Sequence, residues 1–133
     1  MGSIIRSGHM LFNKSMEMYL ETIYILEKDH KHAHVVDIAE GLGVTKPSVS
    51  KAMTKLKNEG YVNKESYSYI TLTEKGRRAA EQIYHKHCIV TEFLERSLDL
   101  SPEEASLNAC RMEHVITDKM LMAIEAYLEK AIK

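Results

Sequence analysis

The 133-residue chain has 44% hydrophobic and 28% charged residues and a formal net charge of −1 at pH 7. This composition predicts a globular protein of one domain or two small subdomains, and no apolar run approaches the roughly 20 residues that span a bilayer. Only two cysteines occur, and without a secretory signal they fit a reducing cytoplasm better than a disulfide framework. We therefore expect a cytoplasmic protein that is neither disordered nor embedded in a membrane.

The small net charge conceals a basic middle segment. Residues 44–78 contain eight Lys and Arg residues against three Glu residues, an excess of five positive charges, so the rest of the chain carries six negative ones. Salt screens the distant acids, so this segment can still bind phosphates. Residues 1–9 show no amphipathic pattern, and Gly-His-Met at 8–10 predicts an expression remnant before a native start at Met10.

Apolar spacing and capping residues predict a helix-turn-helix in the first half of the chain. A first helix should run from about Ser15 to His30, and a short helix over 35–42 should stop at Gly43. Thr45 is the expected N-cap of the next helix, which continues to Gly60. Two short helices joined by a tight turn form a helix-turn-helix, and the β-favouring residues that follow predict a two-stranded wing around 64–68.

Three further helices are expected in the second half of the chain. Thr73 should open a long helix that continues to Leu98. Ser101 is the predicted cap of a helix that reaches about His114, because Ser-Pro-Glu-Glu is a strong helix start. Thr117 begins the last helix. The expected fold class is therefore mainly α with a small β-wing.

The second helix of the predicted helix-turn-helix presents hydroxyls and cations near its start. A Lys-rich helix face is by itself usually only solvated. Its coincidence with helix-turn-helix spacing, a proline in the first turn and a following hairpin indicates winged-helix DNA binding, since such groups reach base edges and phosphates. The expected DNA-binding residues are Thr45, Lys46, Pro47, Ser48, Ser50, Lys51 and Lys55.

Cys110, Glu113 and His114 form a C-x-x-E-H pattern, which places three donors on one face of a helix that continues through them. Taken alone, a methionine in the place of Met18 is more often a core residue, and a histidine in the place of His87 is more often a buried imidazole with its hydrogen bonds made. Three ionisable donors in an otherwise apolar stretch are harder to dismiss, because burying them unpaired is costly and metal coordination removes that cost. The pattern therefore indicates a metal site.

The sequence resembles the iron- and manganese-dependent repressors typified by the diphtheria toxin repressor and the manganese transport regulator. The resemblance extends over about 15–130. It rests on His87 and on four sequence blocks, EMYLETIY at 17–24, VTKPSVS at 44–50, LTEKG at 72–76 and CRMEH at 110–114. We expect a short form without the SH3-like domain of longer members.

The resemblance implies a set of metal ligands that mixes two branches of the family. The set matching the activating site of the iron branch is Met18, Cys110, Glu113 and His114. Glu21 and His87 match ligands of the manganese branch, where Asp and Glu replace Met18 and Cys110. His87 also matches a ligand of an ancillary site in the iron branch, but Thr91 and Ser106 occupy two other ligand positions of that site.

The identity of the metal follows from the softness of these donors. A thioether and a thiolate favour iron(II), cobalt(II) or nickel(II) over manganese(II). We therefore expect iron(II), with manganese(II) as the alternative and cobalt(II), nickel(II) or zinc(II) as possible surrogates.

These observations predict a metal-dependent repressor that binds palindromic operator DNA as a homodimer. Its winged helix-turn-helix domain would occupy residues 10–74, and a helical dimerisation and metal-binding domain would occupy 75–133. No membrane and no small organic substrate is expected as a partner. Two alternatives stay open: a metal-independent winged-helix regulator that senses an organic ligand, and a metallohydrolase, for which the sequence offers no additional general base.

Overall fold

The computed structural model describes residues 14–30, 33–64 and 69–132. The predicted expression remnant and the tip of the wing lie outside these residues. The elements, in chain order, are α1 (Lys14–His30), β1 (Ala33–His34), α2 (Val35–Leu42), α3 (Lys46–Asn58), β2 (Val62–Lys64), β3 (Tyr69–Leu72), α4 (Glu74–Leu98), α5 (Pro102–Met112) and α6 (Asp118–Ile132). Of the described helices, none is both long enough and apolar enough to cross a membrane.

The chain divides into two compact units, and the division falls within α4 between Glu81 and Gln82. The first unit contains the helix-turn-helix and the small sheet, and the second contains most of α4 together with α5 and α6. Each unit has buried apolar residues of its own. The first is centred on Leu20, Ile23, Ile38, Val49, Met53, Leu56, Val62 and Ile70, all at most 2% exposed.

The helix-turn-helix consists of α2 and α3. Gly43 ends α2 in the left-handed conformation, with φ 67°, and its N–H donates to the carbonyls of Ala39 and Glu40. This conformation favours glycine because it has no Cβ. Thr45 then caps α3 by accepting a hydrogen bond from the N–H of Ser48. Both predicted boundaries are confirmed.

The wing is part of a three-stranded antiparallel sheet with the order β1-β3-β2. Val62 pairs with Leu72 in the β2–β3 hairpin, which confirms the predicted two-stranded wing. On its other side, β3 pairs with β1 through Ala33 and Ile70. The strand β1 was not expected from the sequence, because two residues are too few to show the alternation that marks a strand.

In the second unit, α4, α5 and α6 pack around a small apolar cluster. Ser101 caps α5, its hydroxyl oxygen accepting from the N–H of Glu104 at 3.1 Å, and Thr117 accepts from the N–H of Met120 at the start of α6. The buried cluster is formed by Val90, Leu94, Ala105, Ala109, Ile124 and Leu128. The mainly helical fold class, a winged helix-turn-helix followed by a helical domain, is thus confirmed.

Candidate metal centre and nucleic-acid interface

The predicted DNA-binding residues lie on the solvent side of α3. Val49, Met53 and Leu56 are buried on the opposite side. Exposed side chains with hydroxyl or ammonium groups then line the outer face, as the amphipathic pattern requires. Of the seven predicted residues, Thr45, Lys46, Pro47, Ser48, Lys51 and Lys55 are exposed and Ser50 is half-buried. Their role in DNA binding stays a prediction.

Lys51 offers a direct test of this surface. Replacing it with alanine should weaken DNA binding and reduce the slope of log affinity against log salt by about one, because one phosphate contact is lost. Binding measured at several salt concentrations gives the slope. Lys119 is exposed in α6 of the other unit, so Lys119→Ala is the control. An equal slope in wild type and Lys51→Ala would remove Lys51 from the interface.

A cluster of titratable groups lies within the second unit, centred on Glu113. This residue follows the last turn of α5, and its side chain is fully buried. Its Oε1 atom lies 2.8 Å from Nδ1 of His87, which α4 supplies. Its Oε2 atom lies 3.1 Å from Nε2 of His114, whose side chain is also fully buried. One carboxylate thus lies against two imidazoles.

Ser106 contacts Nε2 of His87, the ring nitrogen that does not face Glu113. Its hydroxyl oxygen lies 3.3 Å from Nε2 of His87, while Thr91 donates its hydroxyl hydrogen to the His87 backbone carbonyl at 2.7 Å. With the ring proton on Nδ1, His87 donates to Glu113 and accepts from Ser106, so both nitrogens of a neutral imidazole are satisfied. The Ser106 hydroxyl therefore helps to orient the His87 ring, whereas Thr91 contacts only the backbone of His87.

This cluster fits a divalent transition metal by its chemistry. Carboxylate oxygens and imidazole nitrogens are ligands of iron, manganese and zinc. Buried groups of this kind are costly unless they are paired or coordinate a metal. His87, Glu113 and His114 of the predicted ligand set are brought together here.

Cys110 has a different environment from its partners in the C-x-x-E-H pattern. We expected α5 to reach about His114, and it ends at Met112 with Glu113 as its C-cap. The N–H of Val115 donates to the carbonyl of Met112 three residues earlier, which makes a tight turn, while the N–H of Ile116 bonds the same carbonyl with the spacing of an α-helix. Glu113 and His114 follow the helix with their side chains buried, whereas the Cys110 thiol is exposed. Its role as a ligand stays a prediction.

Met18 and Glu21 belong to α1 in the first unit. Glu21 is only 7% exposed, which is unusual for a carboxylate. Met18 is half-buried and lines a shallow groove with Tyr19, Leu42 and Val44. Burial raises the pKa of the Tyr19 hydroxyl above its ordinary value, so this group ionises even less readily than an exposed tyrosine. The predicted roles of Met18 and Glu21 in metal binding stay predictions.

Sequence reasoning missed one polar residue of the first unit, Glu27. Its side chain is 7% exposed, and it accepts hydrogen bonds from the N–H of Leu72 and from Arg77. An acid in the polar last turns of a helix has the pattern of a solvated residue, and its partners lie 45 and 50 positions away. No local signal in the sequence identifies such a contact.

Both halves of the chain match models of one protein family. Residues 11–70 match the N-terminal DNA-binding domain of the iron-dependent repressors. Residues 73–131 match the metal-binding and dimerisation domain of the same family. The chain therefore belongs to the iron-dependent repressor family, whose members are transcriptional regulators and not enzymes.

Individual relatives agree with this assignment. An uncharacterised HTH-type transcriptional regulator of Methanocaldococcus jannaschii is 36% identical over 119 residues, covering 89% of this chain and 95% of its own length. The iron-dependent repressor IdeR of Mycobacterium bovis is 35% identical over 102 residues, 77% of this chain and 44% of IdeR. A solved structure of the manganese regulator SloR is 32% identical with a TM-score of 0.73, covering 88% of this chain and 54% of SloR. The chain thus spans about half the length of the longer regulators.

Proposed function

We propose that this chain is a metal-activated repressor that binds palindromic operator DNA as a homodimer when loaded with iron(II) or manganese(II). The observation that carries the proposal is the buried Glu113 between His87 and His114, in the half that matches a metal-binding and dimerisation domain. The exposed hydroxyls and cations of α3 support the DNA-binding part. Such a protein would act in the cytoplasm, where the DNA of a prokaryotic cell lies.

The proposed ligands remain the six derived from the sequence. The burial of Glu113 and His114 side by side supports these two residues, whereas the remaining four are proposed on the sequence resemblance, and these are Met18, Glu21, His87 and Cys110. A bound divalent cation would supply the positive charge that neutralises the carboxylates. Because thioether and thiolate donors favour softer ions, we propose iron(II) as the physiological activator and manganese(II) as the alternative.

The proposed DNA complex follows from two-fold symmetry. A homodimer presents two α3 helices, and such helices enter major grooves about 34 Å apart on a palindrome. A metal that raises DNA affinity 100-fold contributes a coupling free energy of about 2.7 kcal/mol. Bound DNA must then tighten metal binding by the same factor.

Anaerobic titration tests this function. DNA fragments selected by the protein from a random-sequence library would be titrated with iron(II), manganese(II) and zinc(II) in turn. We expect iron(II) to activate binding at the lowest concentration and a chelator to reverse it, because the donors include sulfur. Cobalt(II) serves as the air-stable comparison. If neither added metal nor a chelator changes the affinity for DNA, the proposal is overturned in favour of a metal-independent regulator.

A further inference from the structure

Glu27 joins three elements of the first unit. It lies near the end of α1, and its side chain is only 7% exposed. Its Oε2 atom accepts a hydrogen bond from the backbone N–H of Leu72, the last residue of β3, at 2.9 Å. Its Oε1 atom accepts from the guanidinium of Arg77 at 3.1 Å. Both oxygens of one buried carboxylate are thus engaged, one by the wing and one by the start of α4.

The contact with Leu72 extends the sheet where β1 stops pairing. In the described residues, β1 pairs with Tyr69 and Ile70 of β3. Val62 of β2 is opposite Leu72 on the other side. The Glu27 carboxylate supplies the acceptor for the Leu72 N–H on the open side, as a neighbouring strand would. The end of the wing is therefore fixed to α1 by a charge-assisted hydrogen bond.

The contact with Arg77 leaves most of the guanidinium available. Arg77 is 48% exposed although it pairs with a nearly buried acid. A guanidinium has five N–H donors in a planar fork, and the bond to Glu27 uses one nitrogen. The remaining donors have a fixed direction, because a buried carboxylate orients the group. Fixed, exposed guanidinium donors suit a phosphate group.

The surroundings of Arg77 favour an anionic partner. Lys75 and Arg78 are exposed on the same turn of α4, and Arg77 lies in the basic segment 44–78. Thr73 caps this turn by accepting from the N–H of Gly76 and donating to the carbonyl of Gly60, which follows the C-cap of α3. The turn that carries Arg77 is therefore fixed next to the segment that follows the proposed recognition helix.

We propose that Arg77 is a DNA phosphate contact and that Glu27 is the positioning residue that orients it and the wing. This inference rests on the proposed DNA-binding function and adds a backbone contact outside α3. Glu27 itself does not touch DNA, since it is buried and acidic. Its removal acts through Arg77 and Leu72.

If only the net charge mattered, removing the charge of Glu27 would strengthen DNA binding, whereas a positioning role predicts that it weakens binding. Removing an acid from a DNA-binding unit reduces repulsion with phosphates and should tighten binding. Glu27→Gln keeps an oxygen for the Leu72 N–H but loses the charge that holds Arg77. We expect it to weaken binding about tenfold, in line with the loss of a charged hydrogen bond, and to lower the salt slope by about one. Arg77→Met should have the same two effects.

The adjacent ion pair provides matched controls. Arg78 pairs with Glu74 at 2.9 Å, and both side chains are far more exposed, at 67% and 82%. Glu74→Gln removes the same charge close to the same place, and it should leave DNA binding unchanged or tighter. If Glu27→Gln weakens DNA binding while Glu74→Gln strengthens it, the effect of Glu27 comes from positioning Arg77 and not from the net charge.

The experiment measures binding of the full chain to a random-sequence duplex of about 30 base pairs, because phosphate contacts do not depend on sequence. Iron(II) is present under anaerobic conditions, and melting temperature is recorded for every variant. A salt slope unchanged in Arg77→Met, or binding by Glu27→Gln as tight as that by Glu74→Gln, overturns the inference. If Glu27→Gln melts far below wild type, the slope of Arg77→Met decides. A wild-type protein that does not bind this DNA overturns the proposed function instead.

Discussion

Glu113→Gln is expected to abolish metal-stimulated DNA binding while the protein stays folded. Glutamine has nearly the same shape as glutamate, but it removes the negative charge and replaces one acceptor oxygen with an N–H₂ group. At this position the carboxylate lies against His87 and His114, at 2.8 and 3.1 Å. A neutral amide is a poor ligand for a divalent cation, so we expect metal affinity to fall at least about 100-fold, as a lost ligand would produce.

The measurement is DNA binding against metal concentration, with helical content and melting temperature recorded in parallel. Glu92 provides a matched control in the same unit, because its side chain is 45% exposed and pairs with Arg96 at 3.2 Å. Glu92→Gln should respond to metal as wild type does. A normal metal response in folded Glu113→Gln would exclude Glu113 as a ligand, and a loss in both variants would point to a general charge effect.

Gly76→Ala is expected to destabilise the first unit severely. A Cβ atom at Gly76 would lie 1.9 Å from the carbonyl oxygen of Tyr61 and 2.9 Å from its carbonyl carbon. These are backbone atoms, and the same oxygen accepts the N–H of Thr73 at 3.1 Å. The strand end and the first turn of α4 would have to separate. We expect a loss of about 3 kcal/mol in the free energy of unfolding, as for severe overpacking.

Gly41→Ala is the control for a glycine in a helix. Its Cβ would meet only the Thr22 methyl group, at 3.6 Å, an ordinary contact. Alanine is favoured over glycine inside a helix by about 0.5–1 kcal/mol, so this variant should be equal to wild type or more stable. Urea unfolding gives both free energies. Equal stability of the two variants would show that Tyr61 does not constrain Gly76.

Local signals allowed most of the fold to be predicted. Thr45 and Ser101 cap α3 and α5 through their own hydroxyls, and Gly43 ends α2, so each boundary depends on residues within four positions. The same is true of the wing, whose β-favouring residues form the antiparallel pair β2–β3. The end of α5 was harder to predict, because Glu113 keeps a helical backbone conformation and its N–H still donates to the carbonyl of Ala109, although the helix ends at Met112.

Contacts between distant residues could not be predicted in the same way. The spacing of Cys110, Glu113 and His114 identified the candidate site, yet it did not show that the thiol is exposed while the carboxylate is buried. Ser106 and His87, which lie 19 positions apart in the sequence, come into contact between two helices. Such distances depend on the packing of α4 against α5, which no single segment determines.

The cap at the start of α3 has a consequence for interpreting substitutions in this helix. The Thr45 hydroxyl accepts from the Ser48 N–H at 3.2 Å and donates its own hydrogen to the Ser48 hydroxyl at 2.9 Å. Thr45→Ala therefore removes a helix cap, at a cost of about 1 kcal/mol, together with any contact to a base. Thr45→Ser keeps the cap and loses only the methyl group. Comparing these two variants separates the integrity of α3 from the contact with a base that we propose for Thr45.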